Sequence, residues 1–218
     1  LYGSWALISE IAAPAVIVVL GFGLGAGILH LTGVATQLDG LERLVHSLAV
    51  GFGGLVLGVL ILGLAGLLSR TTVLSLLAIA GIVSLLSRWR LFREDLSGGI
   101  GALRAELSTP GLTALGVVVT FALLAPLATS VLPEAFYDSL LYHLEAPEIW
   151  LERGRLAAVP TNVHLNYPVN TSALYLATRC LAPSVSAGTL HFFFLFAVAV
   201  ALISIGKPVG RGVGLIAA

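Results

Sequence analysis

The residues of this chain best suited to chemistry lie between Pro133 and Pro183, a segment that holds five of the eleven acidic residues and separates long apolar runs. Asp138, Tyr142 and Glu145 are spaced i, i+4 and i+7, which puts two carboxylates and a phenol on one face of a helix. A carboxylate so placed can accept a hydrogen bond, and then a proton, from a hydroxyl; the neighbouring phenol can steady either group. His143 could join Asp138 or Glu145 on a divalent cation, but a single histidine with a polar tip at a membrane surface is commonplace, and no metal-ligand set is assigned. The run Asn166-Tyr167-Pro168-Val169-Asn170 holds its backbone at Pro168 and offers the Asn166 and Asn170 amides to hydroxyl groups. A plain turn in which Asn170 caps the next helix fits the same residues. Cys180 is the single cysteine, which excludes an intramolecular disulfide and leaves a buried, inert thiol as the expectation.

These groups must be carried by a membrane bundle. The chain is 58% hydrophobic and 10% charged, with a mean hydropathy of +1.04, against roughly 25% charge in an ordinary soluble domain. Its net charge of zero leaves no basic footprint for a nucleic-acid partner. Apolar runs long enough for the hydrocarbon core fall near 11–34, 45–68, 72–87, 111–132 and 184–205, the third being short, and another starts near 209. The expected fold is all-α: a polytopic transmembrane helix bundle, one integral-membrane domain over 1–218, with an outward-facing loop at 133–183 that carries interfacial helices. Lacking methionine and ending within an apolar run, the sequence reads as the N-terminal part of a longer protein. The first run is not a signal peptide, because Glu10 precedes it, no basic region leads into it and further spans follow.

Gly21 and Gly25, like Gly54 and Gly58, place small residues on one helix face and predict close helix packing; they do not form a phosphate loop, which would need a preceding strand. Arg88, Arg90, Arg93 and Arg104 in one connection and Lys207 and Arg211 in another predict that both are cytoplasmic, so that 133–183 faces outward. Within that loop Pro133-Glu134 predicts the start of an interfacial helix running to about Arg153, burying Phe136, Leu140, Leu144 and part of Trp150, and Gly154 ends it. A second short interfacial helix is expected over Thr171 to Leu181. Most of Tyr137, Tyr142, Trp150, Tyr167 and Tyr175 fit membrane-interface anchors better than stacking platforms for a ligand. For His30 and His191, single histidines within spans, hydrogen bonds inside the bundle fit better than ligation.

The run Tyr137-Asp138-Ser139-Leu140-Leu141-Tyr142-His143-Leu144, followed by Trp150-Leu151-Glu152-Arg153-Gly154-Arg155, Asn166-Tyr167-Pro168-Val169-Asn170 and Leu174-Tyr175, resembles bacterial membrane glycosyltransferases of the GT-C type. More narrowly, it is similar to the family 39, protein-mannosyltransferase-like group. The similarity covers roughly Pro133 to Tyr175. It implies a GT-C-like bundle in the inner membrane of a bacterium, a polyprenyl-phosphate-linked sugar as donor, and a glycan, lipid or protein acceptor. The group's catalytic aspartate, in the first large outward loop, matches Asp138. Many relatives carry an acid two residues after the second Asn, where this chain has Ser172.

What the resemblance implies is chemically coherent. A sugar on lipid phosphate already has a good leaving group, so one carboxylate suffices, whereas a glycosidase uses two. Asp138 would take the proton of the attacking acceptor hydroxyl, with inversion at the anomeric carbon. Arg153 and Arg155 would stabilise the departing phosphate, and Tyr142, His143, Glu145, Asn166 and Asn170 would bind substrate. Two other classes compete. A lipid-linked-sugar flippase or transporter would show charged or broken midplane helices and repeated halves, neither of which stands out; a noncatalytic scaffold would need no particular residue at position 138.

Overall fold

A computed structural model of the chain describes residues 4–86, 89–108, 110–130, 143–160, 162–166, 170–182, 187–207, 209–210 and 216. Among them all regular structure is helical. The helices are α1 (Ser4–Leu31), α2 (Gly40–Leu64), α3 (Arg70–Leu86), α4 (Trp89–Glu106), α5 (Pro110–Ser130), α6 (Glu145–Arg153), α7 (Asn170–Leu181) and α8 (Ala187–Gly206), with short 3-10 turns at Val34–Gln37 and Val163–Asn166. Four stretches, Ile11–Leu31, Gly40–Leu64, Gly111–Ser130 and Gly188–Gly206, are long and apolar enough to cross a membrane. The third expected span, α3, is an apolar helix of 17 residues, shorter than these four.

Local sequence accounts for the helix boundaries. Asp39 opens α2 with a capping box: its carboxylate accepts from the Leu41 and Glu42 amides at 2.8 and 3.0 Å, while Glu42 accepts from the Asp39 amide at 2.9 Å. Burial pushes the Asp39 carboxyl up, but Lys207, 2.6 Å away, and those two amides outweigh it and hold the group below the ordinary carboxylate range. That contact also ties the end of α8 to the start of α2. Gly154, at φ 66°, closes α6 in the left-handed conformation that glycine adopts without penalty. The expected stop at Gly154 is therefore present. The expected start, at Pro133-Glu134, lies outside the described residues; where description resumes, His143 and Leu144 already have right-handed helical backbone ahead of α6. Pro147 is tolerated in the first turn of α6, where its missing N–H costs no intrahelical bond. Phe136, Asp138, Leu140 and Tyr142 lie outside the described residues.

α1 and α2 form the centre of the bundle and cross at backbone contact. A Cβ on Gly25 would meet the Ser47 carbonyl oxygen, and one on Gly51 would meet that of Gly21. Gly21 and Gly25 thus pack as their spacing predicts, with Gly51 and Ser47 opposite. Gly58 faces Leu76 of α3, where a Cβ would come within 2.8 Å of its methyl groups. Around this crossing Ile17, Leu55, Val59, Val73, Leu77, Trp150, Leu174 and Leu176 form one buried core.

The connection carrying Arg88 to Arg104 contains a helix that the apolar pattern did not announce. Along α4, Asp95, Gly99, Ala102 and Glu106 recur at i, i+4, i+7 and i+11 and turn inward; Gly99 lies against Leu44, and Gly98 against Gly40. Asp95 is 3% exposed. Its Oδ2 is 3.0 Å from Nε2 of His30 at the end of α1, and its Oδ1 is 3.0 Å from Nε of Arg43 in α2. The Arg43 contact has the distance of an ion pair, although its N–H is not aligned for a hydrogen bond. The hydrogen bond expected for His30 is thus present, with a partner that is acidic.

Candidate functional site at one end of the bundle

The described parts of 133–183 assemble at the end opposite α4. The Leu68 amide donates to the Gly154 carbonyl at 2.9 Å, and the Leu156 amide to that of Gly63 at 3.0 Å, so the chain leaving α6 is stitched to the α2–α3 turn. Arg70, the first residue of α3, donates from Nε to the Cys180 carbonyl at 2.9 Å. Arg179 pairs with Glu148, joining α7 to α6. On the other side Thr189 of α8 donates to the Ser130 carbonyl at the end of α5, at 3.1 Å.

α7 departs from the expected interfacial helix. Eight of its residues, Ser172 to Thr178 and Cys180, are buried, and it packs against α1, α2, α3 and α6. Small and hydroxylated residues permit this: Ala173 and Ala177 allow close approach, and Thr178 returns its hydroxyl to the Leu174 carbonyl at 2.8 Å. Two aromatic residues are corrected with it. Trp150 is 2% exposed and Tyr175 5%, so both belong to the core and neither anchors at an interface. Tyr137, Tyr142 and Tyr167 lie outside the described residues.

A polar cluster emerges between these helices. The Tyr175 hydroxyl lies 2.9 Å from Nδ1 of His191, as a hydrogen bond within the bundle for that histidine requires. The ring of His143 stands edge-on to Tyr175 with centroids 6.2 Å apart, and its Nδ1 is 3.2 Å from the hydroxyl of the fully buried Ser172. Ser172, noted in the sequence only as a departure from the acidic residue of the resembling group, is here the polar partner of a candidate site residue. Its burial follows from α7 lying inside the bundle, and nothing in the sequence alone marked it.

The candidate residues divide accordingly. Asp138 and Tyr142 lie outside the described residues. Glu145 is exposed in the first turn of α6, where its charge complements the helix dipole. His143 is half-buried against α7. Arg153 and Arg155 are exposed at the same end, with Nη1 of Arg153 donating to the Ala158 carbonyl at 3.3 Å. Asn166 ends the second 3-10 turn, and its side chain lies outside what is described; Asn170 is exposed as the first residue of α7. No group of three or more His, Cys, Asp or Glu residues able to hold a metal occurs among the described residues. No family model, curated protein or solved structure matches the chain.

Cys180 is buried, and desolvation pushes its thiol up to about 11; nearby Arg70 and Arg179 oppose this while Glu148 adds to it. From the ordinary 9.0 that is about a hundredfold less thiolate near neutral pH. Maleimide applied to the folded protein in mild detergent at pH 7 is expected to leave Cys180 unmodified for hours and to label it promptly after denaturation. Equal rates in both states would contradict its packing.

Proposed function

We propose that this membrane protein is a glycosyltransferase of the GT-C type, which moves a sugar from a polyprenyl-phosphate donor to an acceptor hydroxyl with inversion. Asp138 is the base that accepts the hydroxyl proton. The reading rests on the resembling run from Tyr137 to Tyr175, and one structural observation supports it. Ser130 and His143, which bracket residues 131–142, are both bonded into the bundle at the same end: Ser130 through Thr189, and His143 through Ser172. The segment carrying Asp138 therefore starts and finishes on a fixed frame, and a fixed frame is what a carboxylate needs if it is to meet a hydroxyl repeatedly in one geometry. Arg153 and Arg155, exposed at that end, are available to a phosphate leaving group.

Asp138→Asn, in the full-length protein, tests the base. Asparagine keeps the shape and cannot take the proton, so transfer from a polyprenyl-phosphate sugar should fall by a factor of about 100 to 10,000 at unchanged expression. Undiminished turnover would favour the scaffold reading. The site is proposed to face outward from the cytoplasmic membrane of a bacterium, because α4 and its arginines lie at the other end. In a Cys180→Ala background, an impermeant thiol reagent on intact cells should label Glu152→Cys in α6 and spare Ser97→Cys in α4. The reverse pattern would put Asp138 on the cytoplasmic side and remove the donor's point of access.

A further inference from the structure

We infer that α4 is a membrane-surface helix that binds anionic phospholipid through the stripe Arg93, Leu96, Ile100 and Arg104. The inference is independent of the catalytic reading and concerns the opposite end of the bundle. Its first ground is topology. α4 joins α3, which ends at Leu86, to α5, whose apolar stretch begins at Gly111, so both ends of this helix are tied to apolar helices at the same end of the bundle. Eighteen residues of helix, about 27 Å long, held between two such points run along the membrane surface rather than away from it.

The second ground is the roll of the helix about its axis. The inward stripe is fixed by Asp95 on His30 and Arg43 and by the contacts of Gly98 and Gly99 with α2. With that face pinned, Arg93, Leu96, Ile100 and Arg104, at i, i+3, i+7 and i+11, fall on one exposed stripe, while Glu94, Gly101 and Ala105 fall on another. Leu96 and Ile100 are 37% and 54% exposed, an apolar pair that water would leave unsatisfied and that acyl chains would cover. An arginine lies at each end of that pair. Such a side chain lays its aliphatic stem along apolar surface and holds its guanidinium at the level of the headgroup phosphates. The only exposed charge on this stripe is positive, so its complement is an anionic headgroup, and a zwitterionic lipid supplies less of that attraction.

Spin labelling of the full chain in vesicles tests this. In a Cys180→Ala background a nitroxide on Ile100→Cys should collide mainly with lipid-dissolved oxygen, and one on Ala105→Cys mainly with an aqueous nickel complex. Spin-labelled phosphatidylglycerol should associate with the protein in preference to spin-labelled phosphatidylcholine, in a salt-sensitive way. The paired change Arg93→Gln and Arg104→Gln should abolish the preference, and Arg93→Lys with Arg104→Lys should keep it. Water contact at Ile100 equal to that at Ala105, or a preference surviving the glutamine pair, overturns the inference. Disulfide-linked dimers forming through Ile100→Cys overturn it as well, because they would assign the stripe to a second copy of the chain.

Discussion

Gly51→Ala is expected to destabilise the protein by about 3 kcal/mol or more, enough to lose most of the folded material on extraction, although it adds one methyl group. At this crossing α1 and α2 touch through their backbones, and the new Cβ would occupy the position of the Gly21 carbonyl oxygen. A side chain could turn aside; a carbonyl within a helix cannot move without moving α1. Gly53 provides the contrast two residues away. Nothing lies within 4 Å of a Cβ built there, so Gly53→Ala should be neutral or stabilising by up to about 1 kcal/mol, the difference in helix propensity. Thermal unfolding of the two variants in the same detergent measures both effects. Similar behaviour at positions 51 and 53 would mean that α1 and α2 do not meet at Gly21.

Asp95→Ala should cost about 2 to 4 kcal/mol and free α4 from the bundle. Breaking a fully buried ion pair costs about 3–5 kcal/mol because the partner's charge is stranded; here His30 and Arg43 keep side-chain exposures of 24% and 29%, so water offsets part of the loss. Asp95→Asn should lie between, retaining a hydrogen bond to His30 while giving up the attraction to Arg43. Hydrogen exchange provides the local readout. In the alanine variant the amides of α4 should lose protection while those of α7, at the other end of the molecule, keep theirs. Unchanged protection along α4 would show that its packing on α2 suffices without the carboxylate.

The bundle itself was legible in the sequence. Apolar length located four helices able to cross a membrane, because the hydrocarbon core imposes a minimum run that chance composition rarely produces. Gly154 as a stop, the approach of α1 through Gly21 and Gly25, and the bonding of His30 and His191 were legible for equally local reasons. α4 was not, since its inward stripe reads Asp-Gly-Ala-Glu, and hydrophobic periodicity is blind to a face whose burial depends on a charge finding partners 52 and 65 residues away. Tyr175 was misassigned, and Trp150 in part, because an amphipathic ring suits an interface and a core equally well; what separates them is whether other helices cover the ring, and the core around both includes residues of α1, α2 and α3, distant in sequence. The face shared by Asp138, Tyr142 and Glu145 is described only at Glu145, the rest of the expected helix lying outside the described residues.

The pairing of α5 with α8 sets a timetable for synthesis. Among the described residues α5 has α8 as its principal partner, and none of its apolar window is buried in the protein. Residues 131–186 separate the two helices, so at ribosomal rates of about 5–20 residues per second α5 waits roughly 3 to 11 seconds before synthesis of its partner begins. During that interval α1, α2 and α3 can already be joined, whereas α5 lacks its principal partner and leaves most of its length to lipid or the insertion machinery. A nascent chain stalled before Ala187 should therefore expose α5 to a crosslinker on the insertase, and one stalled well beyond Gly206 should withdraw it.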